Sequence, residues 1–141
     1  MANERLAVEI LESSKVIAMV GASNKPERAS YRVMAFLQLC GYHVIPVNPA
    51  LEGEVLHGQV VKGSLSDIEQ PVDLVDIFRN SAAAGEAVDQ AIAIGAKAVW
   101  MQLGVINSEA ADRASEVGLK VVMDRCPKID IPELGIKTPA A

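Results

Sequence analysis

Short, β-rich apolar runs alternate with helically spaced segments along the whole chain, and no other feature limits the possible folds so tightly. The runs are KVIAMVG (15–21), YHVIPVN (42–48), DLVDIF (73–78), KAVWMQLG (97–104) and KVVMD (120–124). Between them, Val33, Leu37 and Cys40 recur at helical spacing and Gly41 supplies a stop. AAAGEAVDQAIAIG reads as a helix closed by Gly95, and Asn107 caps another through Val117 that ends at Gly118. Ahead of the first run, residues 4–13 place Leu6, Ile10 and Leu11 on one face, with Asn3 as N-cap. Strands this uniformly apolar are buried on both sides, which means a parallel sheet with helices on both faces. The expected fold is a single Rossmann-like α/β domain over residues 1–141, with strand order 3-2-1-4-5 and a switch point between strands 1 and 4. Residues 1–14 form its N-terminal helix. The proline-containing segment 125–141 shows little periodicity and is expected to lie along the surface as a tail.

Composition removes several classes of function. At 141 residues, 50% hydrophobic and 22% charged, the chain can bury a core without disulfides or metals. Two cysteines, Cys40 and Cys126, are too few and too isolated for a disulfide framework or a zinc site. A net charge of -5 argues against nucleic acid as a partner, and a single Trp, two Tyr and two Phe offer no stacking platform. No apolar run is long enough to span a bilayer. The acidic, amphipathic N-terminus is unlike a secretory signal, so the expected location is the cytoplasm.

In such sheets ligands bind outside the carboxyl ends of the strands, at the switch point. Five loops therefore matter: GASNKPER, NPALEG, RNS, QLGV and RCPK. Lys25, Arg28, Arg79, Arg125 and Lys128 fall in or beside them, so an acidic protein gathers several of its 13 basic residues at one end of its sheet. That is the composition of an anion pocket. Lys15, Lys97 and Lys120 stand at the strand entrances, the opposite end, and read as solvated edge charges with no functional role.

The first loop is not a dinucleotide fingerprint. Such a loop uses three glycines, for turn, close approach and helix packing, and here only Gly21 remains in GASNKP. Ala22 and Ser23 keep it small, and the Ser23 hydroxyl can donate to a phosphate. Dinucleotide sites also carry an acid near the end of the second strand for the ribose hydroxyls. This chain has VNP (47–49) instead. A phosphorylated ribose would be repelled by a carboxylate there, since like charges 4 Å apart cost roughly 4 kcal/mol at an effective dielectric near 20. The residues therefore favour a nucleotide with a phosphorylated ribose, coenzyme A or NADP.

Taken together, VGASNKPERASYRV, GYHVIPVNP, VDIFRN, AVWMQLGV and VVMDRCPKI resemble the small stand-alone CoA-binding proteins described as YccU-like. That domain is similar to the N-terminal CoA-binding domain of the succinyl-CoA synthetase alpha chain and of NDP-forming acyl-CoA synthetases. The resemblance spans about residues 10–130 and implies a coenzyme A site across the carboxyl ends of the strands. Carried onto this chain, it implies that Gly21, Ala22, Ser23, Lys25 and Arg28 hold phosphates. Val47, Asn48 and Pro49 would flank the adenosine half, while Phe78 and Arg79 lie under the nucleotide. Met101, Gln102, Leu103 and Gly104 would line the path of the pantetheine arm.

The synthetases need a phosphorylated histidine from a following domain and a nucleotide-binding partner. His43 opens a strand at the wrong end for that role, and His57 sits in a loop with no carboxylate to orient it. Cys126, between Arg125 and Lys128, has the cationic neighbours that favour a thiolate, although packing as a small residue beside Pro127 is the preferred reading. Asp76, inside a strand, is expected to accept backbone or arginine hydrogen bonds, and Asp124 to orient Arg125 or a loop. The reading is a protein that binds coenzyme A or a short acyl-CoA without a complete catalytic apparatus, and that senses the cofactor, carries it or delivers it to a separate protein partner. The rivals are a Cys126-dependent acyl-transfer or redox enzyme, an NADP-linked oxidoreductase, and a purely structural module. Oligomeric state is left open, with the N-terminal helix as one candidate surface.

Overall fold

A computed structural model describes residues 2–140; Met1 and Ala141, the outermost residues of the expected N-terminal helix and tail, lie outside it. In chain order the elements are α1 (Ala2–Ser13), β1 (Val16–Val20), α2 (Ala29–Leu39), β2 (His43–Val47), the two-residue strands β3 (Val55–Leu56) and β4 (Gln59–Val60), and β5 (Leu74–Ile77). They continue as α3 (Ser81–Ala93), β6 (Ala98–Met101), α4 (Ser108–Glu116), β7 (Lys120–Val122) and α5 (Pro127–Glu133). Five of the strands form one parallel sheet, ordered β2-β1-β5-β6-β7. The fold is the expected Rossmann-like α/β layer, and the strand order is not the expected one. Counting only these five, it runs 2-1-3-4-5 in place of 3-2-1-4-5.

Pro46 supplies the physical reason. Proline has no N–H to give a ladder, so it belongs on an edge strand with its nitrogen turned outward. The order 3-2-1-4-5 would have flanked β2 on both sides. Instead β2 is an edge, and outside it Lys62 alone reaches across, donating its N–H to the Pro46 carbonyl at 2.9 Å and accepting from the Asn48 N–H at 2.9 Å. Reversing direction after β2 also moves the connection to the other face, as right-handed crossovers require. α2 packs with Met19 and Trp100 on one face, while Leu65 and Val72 of the return connection pack with Val75 and Val99 on the other. The switch point therefore lies between β1 and β5.

α1, α2 and α5 cover the first face with Ile10, Leu11, Met34 and Leu37 over Leu74 and Trp100. α3 and α4 cover the second through small residues, Ala84, Ala91, Ala110 and Ala114 among them. The buried indole of Trp100 donates to the Arg125 carbonyl at 2.8 Å. Three further expectations are corrected. The 125–141 segment is no loose tail: Pro127 starts α5, Ile131 and Ile136 are buried, and the Ala140 N–H donates to the Cys40 carbonyl at 2.9 Å. Seven residues are too few for periodicity to register, and proline at a helix start costs no hydrogen bond. The loop after β2 contains the β3–β4 hairpin, turning at His57 and Gly58 with φ of 48° and 81°. α1 begins at Ala2, so Asn3 lies within it instead of capping it.

Asp76 is a further correction. It is fully buried between Met19 and Trp100, and neither carboxylate oxygen has a hydrogen-bond partner. Burial holds its carboxyl well above the usual range, because taking the charged form out of water is costly. Asp124 behaves as expected: its Oδ1 accepts the Gly104 N–H at 2.7 Å and ties down the loop after β6.

Candidate functional site

Two clefts open side by side where β2, β1, β5 and β6 end. The larger, about 550 Å³, lies between the β1 loop, the start of α2, Phe78 and the β6 loop. The smaller, about 380 Å³, lies over the β2 loop and the flank of α3. Gly21, Asn48, Ala50 and Arg79 form their shared border.

Gly21 marks the switch point. Its φ is +85°, and a Cβ there would stand 2.2 Å from the Phe78 carbonyl oxygen, so only glycine lets β1 and β5 part this closely. The N–H groups of Gly21 and Ala22 do not face a ligand. Both donate to the Val47 carbonyl, at 3.0 and 3.3 Å. Asn48 is likewise engaged within the fold: Nδ2 donates to the Ala22 carbonyl at 2.8 Å and Oδ1 accepts from the Ala50 N–H at 2.9 Å. These three residues set the shape of the border, and their polar groups are used in holding two loops together. The Ser23 oxygen accepts the Lys25 N–H at 3.1 Å, leaving its own proton free to donate.

Anion-binding capacity comes from α2 instead. Its N-cap is Arg28, which makes no side-chain cap, and Ala29 and Ser30 line the larger cleft. An uncapped helix start presents several N–H groups and the positive end of the helix dipole. α3 and α4 differ: Asn80 and Asn107 accept from the Ala83 and Ala110 N–H groups at 2.8 and 3.1 Å.

Lys25 and Arg28 line the larger cleft and Arg79 lines both. Among the described residues the ion pairs are Lys97–Asp73, Arg113–Asp89, Lys120–Glu9 and Arg125–Asp130, none of which involves these three. The anion pocket expected from five cations thus has three. Arg125 is held by Asp130 through Nε at 2.7 Å and Nη2 at 2.9 Å, and Lys128 lies 5.7 Å above the Phe36 ring. Both were drawn away by α5, whose packing sequence periodicity did not reveal.

Val47 and Pro49 line the smaller cleft; Ala22, Ser23 and Phe78 line the larger. After β6, Gln102 and Leu103 line the larger cleft, Gln102 only 5% exposed and Leu103 56% exposed. Met101 does not. As the last β6 residue it points to the opposite face and is buried under α3 and α4 with Val99, which corrects its expected place on the ligand path. Gly104 lines neither cleft, its N–H held by Asp124 and its carbonyl 3.4 Å from the Ser81 hydroxyl. The sequence reading missed Ser30, Leu51 and Val105 in the larger cleft, and Ser64, Glu86 and Gln90 in the smaller. Glu86 and Gln90, four apart on α3, share a helix face, and that spacing was the available signal. Neither cleft is lined by a histidine or a cysteine. His43 is at the far end of β2, His57 donates from Nε2 to the Tyr31 carbonyl at 3.0 Å, and Cys126 is buried at the start of α5. No described helix is long and apolar enough to cross a membrane, and no described cluster of His, Cys, Asp or Glu could hold a metal.

A parallel sheet with an uncapped helix start and, among the described residues, cations in no ion pair at its switch point has the arrangement of a nucleotide-binding α/β domain. The chain belongs to the family described as the CoA binding domain, whose match runs over residues 15–132. It is 40% identical over 121 residues to the uncharacterized protein YneT of Bacillus subtilis (strain 168), covering 86% of this chain and 88% of that one. A hypothetical protein from Pyrococcus horikoshii OT3 superposes with a TM-score of 0.87 at 41% identity, over 93% of this chain and 91% of that one. The dinucleotide forming acetyl-coenzyme A synthetase 1 of Ca. Korarchaeum cryptofilum, in complex with phosphate and ADP, gives a TM-score of 0.69 at 26% identity. That match covers 81% of this chain and 26% of the synthetase.

Proposed function

We propose that this protein binds coenzyme A, or a short acyl-CoA, across the two clefts and holds or delivers it without transforming it. The observation that carries the reading is that Lys25, Arg28 and Arg79, in no ion pair among the described residues, line the larger cleft together with the open start of α2, with no carboxylate among Val47, Asn48 and Pro49 at the end of β2. Coenzyme A brings two phosphate groupings, the diphosphate bridge and the ribose phosphate, and a site with several donors can take both. Val47, Asn48 and Pro49 border the smaller cleft, where Ser64, Glu86 and Gln90 offer hydrogen-bond partners to the base edge. Membership of a CoA-binding family supports the choice over NADP. The placement of Cys126 away from both clefts speaks against thiol catalysis as its use. Calorimetry with coenzyme A and NADPH side by side tests the reading: heat of binding is expected with coenzyme A alone. Equal heats, or heat with NADPH only, overturn it.

A further inference from the structure

We propose that Asp76 is a positioning residue beneath the larger cleft: as the neutral acid it donates its O–H to Oε1 of Gln102 and fixes how that side chain is held where it lines the cleft. Among the described residues, the buried side-chain oxygens and nitrogens with no hydrogen-bond partner are the two carboxyl oxygens of Asp76 and Oε1 of Gln102. Buried polar atoms are rarely left so, because an unmatched group costs free energy. Their places in the sheet bring the two residues together. Asp76 sits opposite Trp100 in the β5–β6 register, and Gln102 follows Trp100 by two residues. Alternation therefore turns both side chains to the face that α1, α2 and α5 cover. The Gln102 N–H still meets the Ile77 carbonyl at 3.3 Å, which carries the ladder one step beyond β6. Strands about 4.8 Å apart, rising about 3.3 Å per residue, set the two Cα atoms roughly 8 Å apart, a gap that an aspartate and a glutamine side chain span between them.

Three acceptors in one place cannot satisfy one another, whereas a protonated carboxyl carries an O–H that needs an acceptor. The neighbouring donors are committed, the Trp100 indole N–H to the Arg125 carbonyl and the Tyr42 hydroxyl to the Leu11 carbonyl. Of the other titratable groups on this face, Asp130 is held by Arg125, with Glu4 and Glu133 near that guanidinium. Tyr31, Cys40 and Cys126 pack into the same core. Arg5, Glu9, Glu12, Arg32 and Lys128 are on the exposed sides of the covering helices, and Lys25, Arg28 and Arg79 around the cleft are exposed too. Burial is what raises the Asp76 carboxyl, and none of these charges contributes to it. Ionisation removes the O–H, sets a carboxylate against Oε1 and releases the side chain. How Gln102 is held therefore follows the protonation of Asp76.

Nuclear magnetic resonance and infrared spectroscopy of the protein without ligand test this. The Gln102 side-chain NH2 signal is expected to shift with pH at the same midpoint as the Asp76 carboxyl carbon. In Asp76→Asn, whose amide N–H still donates to Oε1, it should stay near its wild-type low-pH position throughout. Unchanged backbone signals in α3 and α4, on the other face, show that the variant is folded, and the wild-type titration decides without it. A Gln102 signal that stays flat while Asp76 titrates, or that titrates unchanged in Asp76→Asn, overturns the inference. A carboxyl that titrates near the ordinary aspartate value of about 4 overturns it as well. If Asp76 keeps its proton at every pH at which the protein is folded, the infrared C=O band of its acid, identified by its loss in Asp76→Asn, decides. That band should rise in frequency in Gln102→Met, which removes the acceptor, and an unmoved band overturns the inference.

Discussion

The two ends of one sheet carry similar numbers of basic residues and use them in opposite ways. At the amino end, Lys97 pairs with Asp73 at 3.3 Å and Lys120 with Glu9, while Asp73 also accepts the Lys15 and Val16 N–H groups at 2.9 and 3.0 Å. At the carboxyl end, Lys25, Arg28 and Arg79 border a cleft with no acid among their described ion-pair partners. At the amino end the fold gives Lys97 and Lys120 an acid each, and at the carboxyl end it leaves Lys25, Arg28 and Arg79 without one among the described ion pairs. A count of charges near strand ends cannot see that difference, because the acids that neutralise one end come from distant segments, α1 and the start of β5.

The sharpest way to break the comparison is at Gly21. A Cβ there meets the Phe78 carbonyl oxygen at 2.2 Å and demands a left-handed conformation, so Gly21→Ala must push β1 and β5 apart. Thermal or denaturant unfolding should show a loss of about 3 kcal/mol or more, with coenzyme A binding abolished. Gly104→Ala is the companion: φ is +80°, but nothing lies within 4 Å, so only the strain of about 1–2 kcal/mol remains. If the two variants lose equal stability, the close approach of β1 to β5 is not what holds the site open.

Next in size is ligand affinity. Arg28→Ala and Arg79→Ala should each weaken coenzyme A about tenfold or more in calorimetry, the value of one charge-assisted hydrogen bond of roughly 1.5–3 kcal/mol. The arginine that meets the ribose phosphate should lose more for coenzyme A than for dephospho-coenzyme A; equal losses assign it to the diphosphate. Lys97→Ala, at the other end, should leave the affinity unchanged. A comparable loss there would erase the distinction between the two ends.

Much of this was legible in the sequence. Alternation gave the fold class, GAS gave the turn, and the missing acid after β2 narrowed the nucleotide. Pro46 was legible too, since a proline within a strand demands an edge, yet the strand order expected for the chain placed it centrally. The rest depends on groups that meet only in three dimensions. That Arg125 belongs to Asp130 requires α5 to fold back, and two turns of helix leave no periodic trace. That the Gly21 and Ala22 amides serve Val47, so that the N-terminus of α2 takes over the anion, follows from loop geometry rather than residue type. Met101 and Gln102 show the same limit: adjacent and both buried, they part to opposite faces according to where β6 ends.

The smallest effects, and the finest test, come from two aspartates three residues apart. Asp73 is half-buried, which alone would raise its carboxyl; the N–H groups of Val16 and Lys15 and the nearby Lys97 outweigh this and hold it below the usual value. Its contribution to stability is present above the unfolded pKa near 4 and is lost as pH falls through the folded one. Asp73→Asn should therefore destabilise the protein by about 1 kcal/mol at neutral pH, with the difference fading in acid. Asp76 works the other way, because burial without a partner raises its carboxyl well above the usual value. Its contribution is present below the unfolded pKa and is lost as pH rises toward the folded one. Asp76→Asn removes the proton uptake, so its stability relative to wild type should climb as pH rises, the opposite slope to Asp73→Asn. Urea unfolding reads the two slopes directly, from about pH 2 to 5 for Asp73→Asn and from about pH 4 to 8 for Asp76→Asn. A fall in the stability of Asp76→Asn relative to wild type as pH rises would mean that Asp76 has a cationic or donor partner in solution, and its burial in β5 without such a partner would then have to be abandoned.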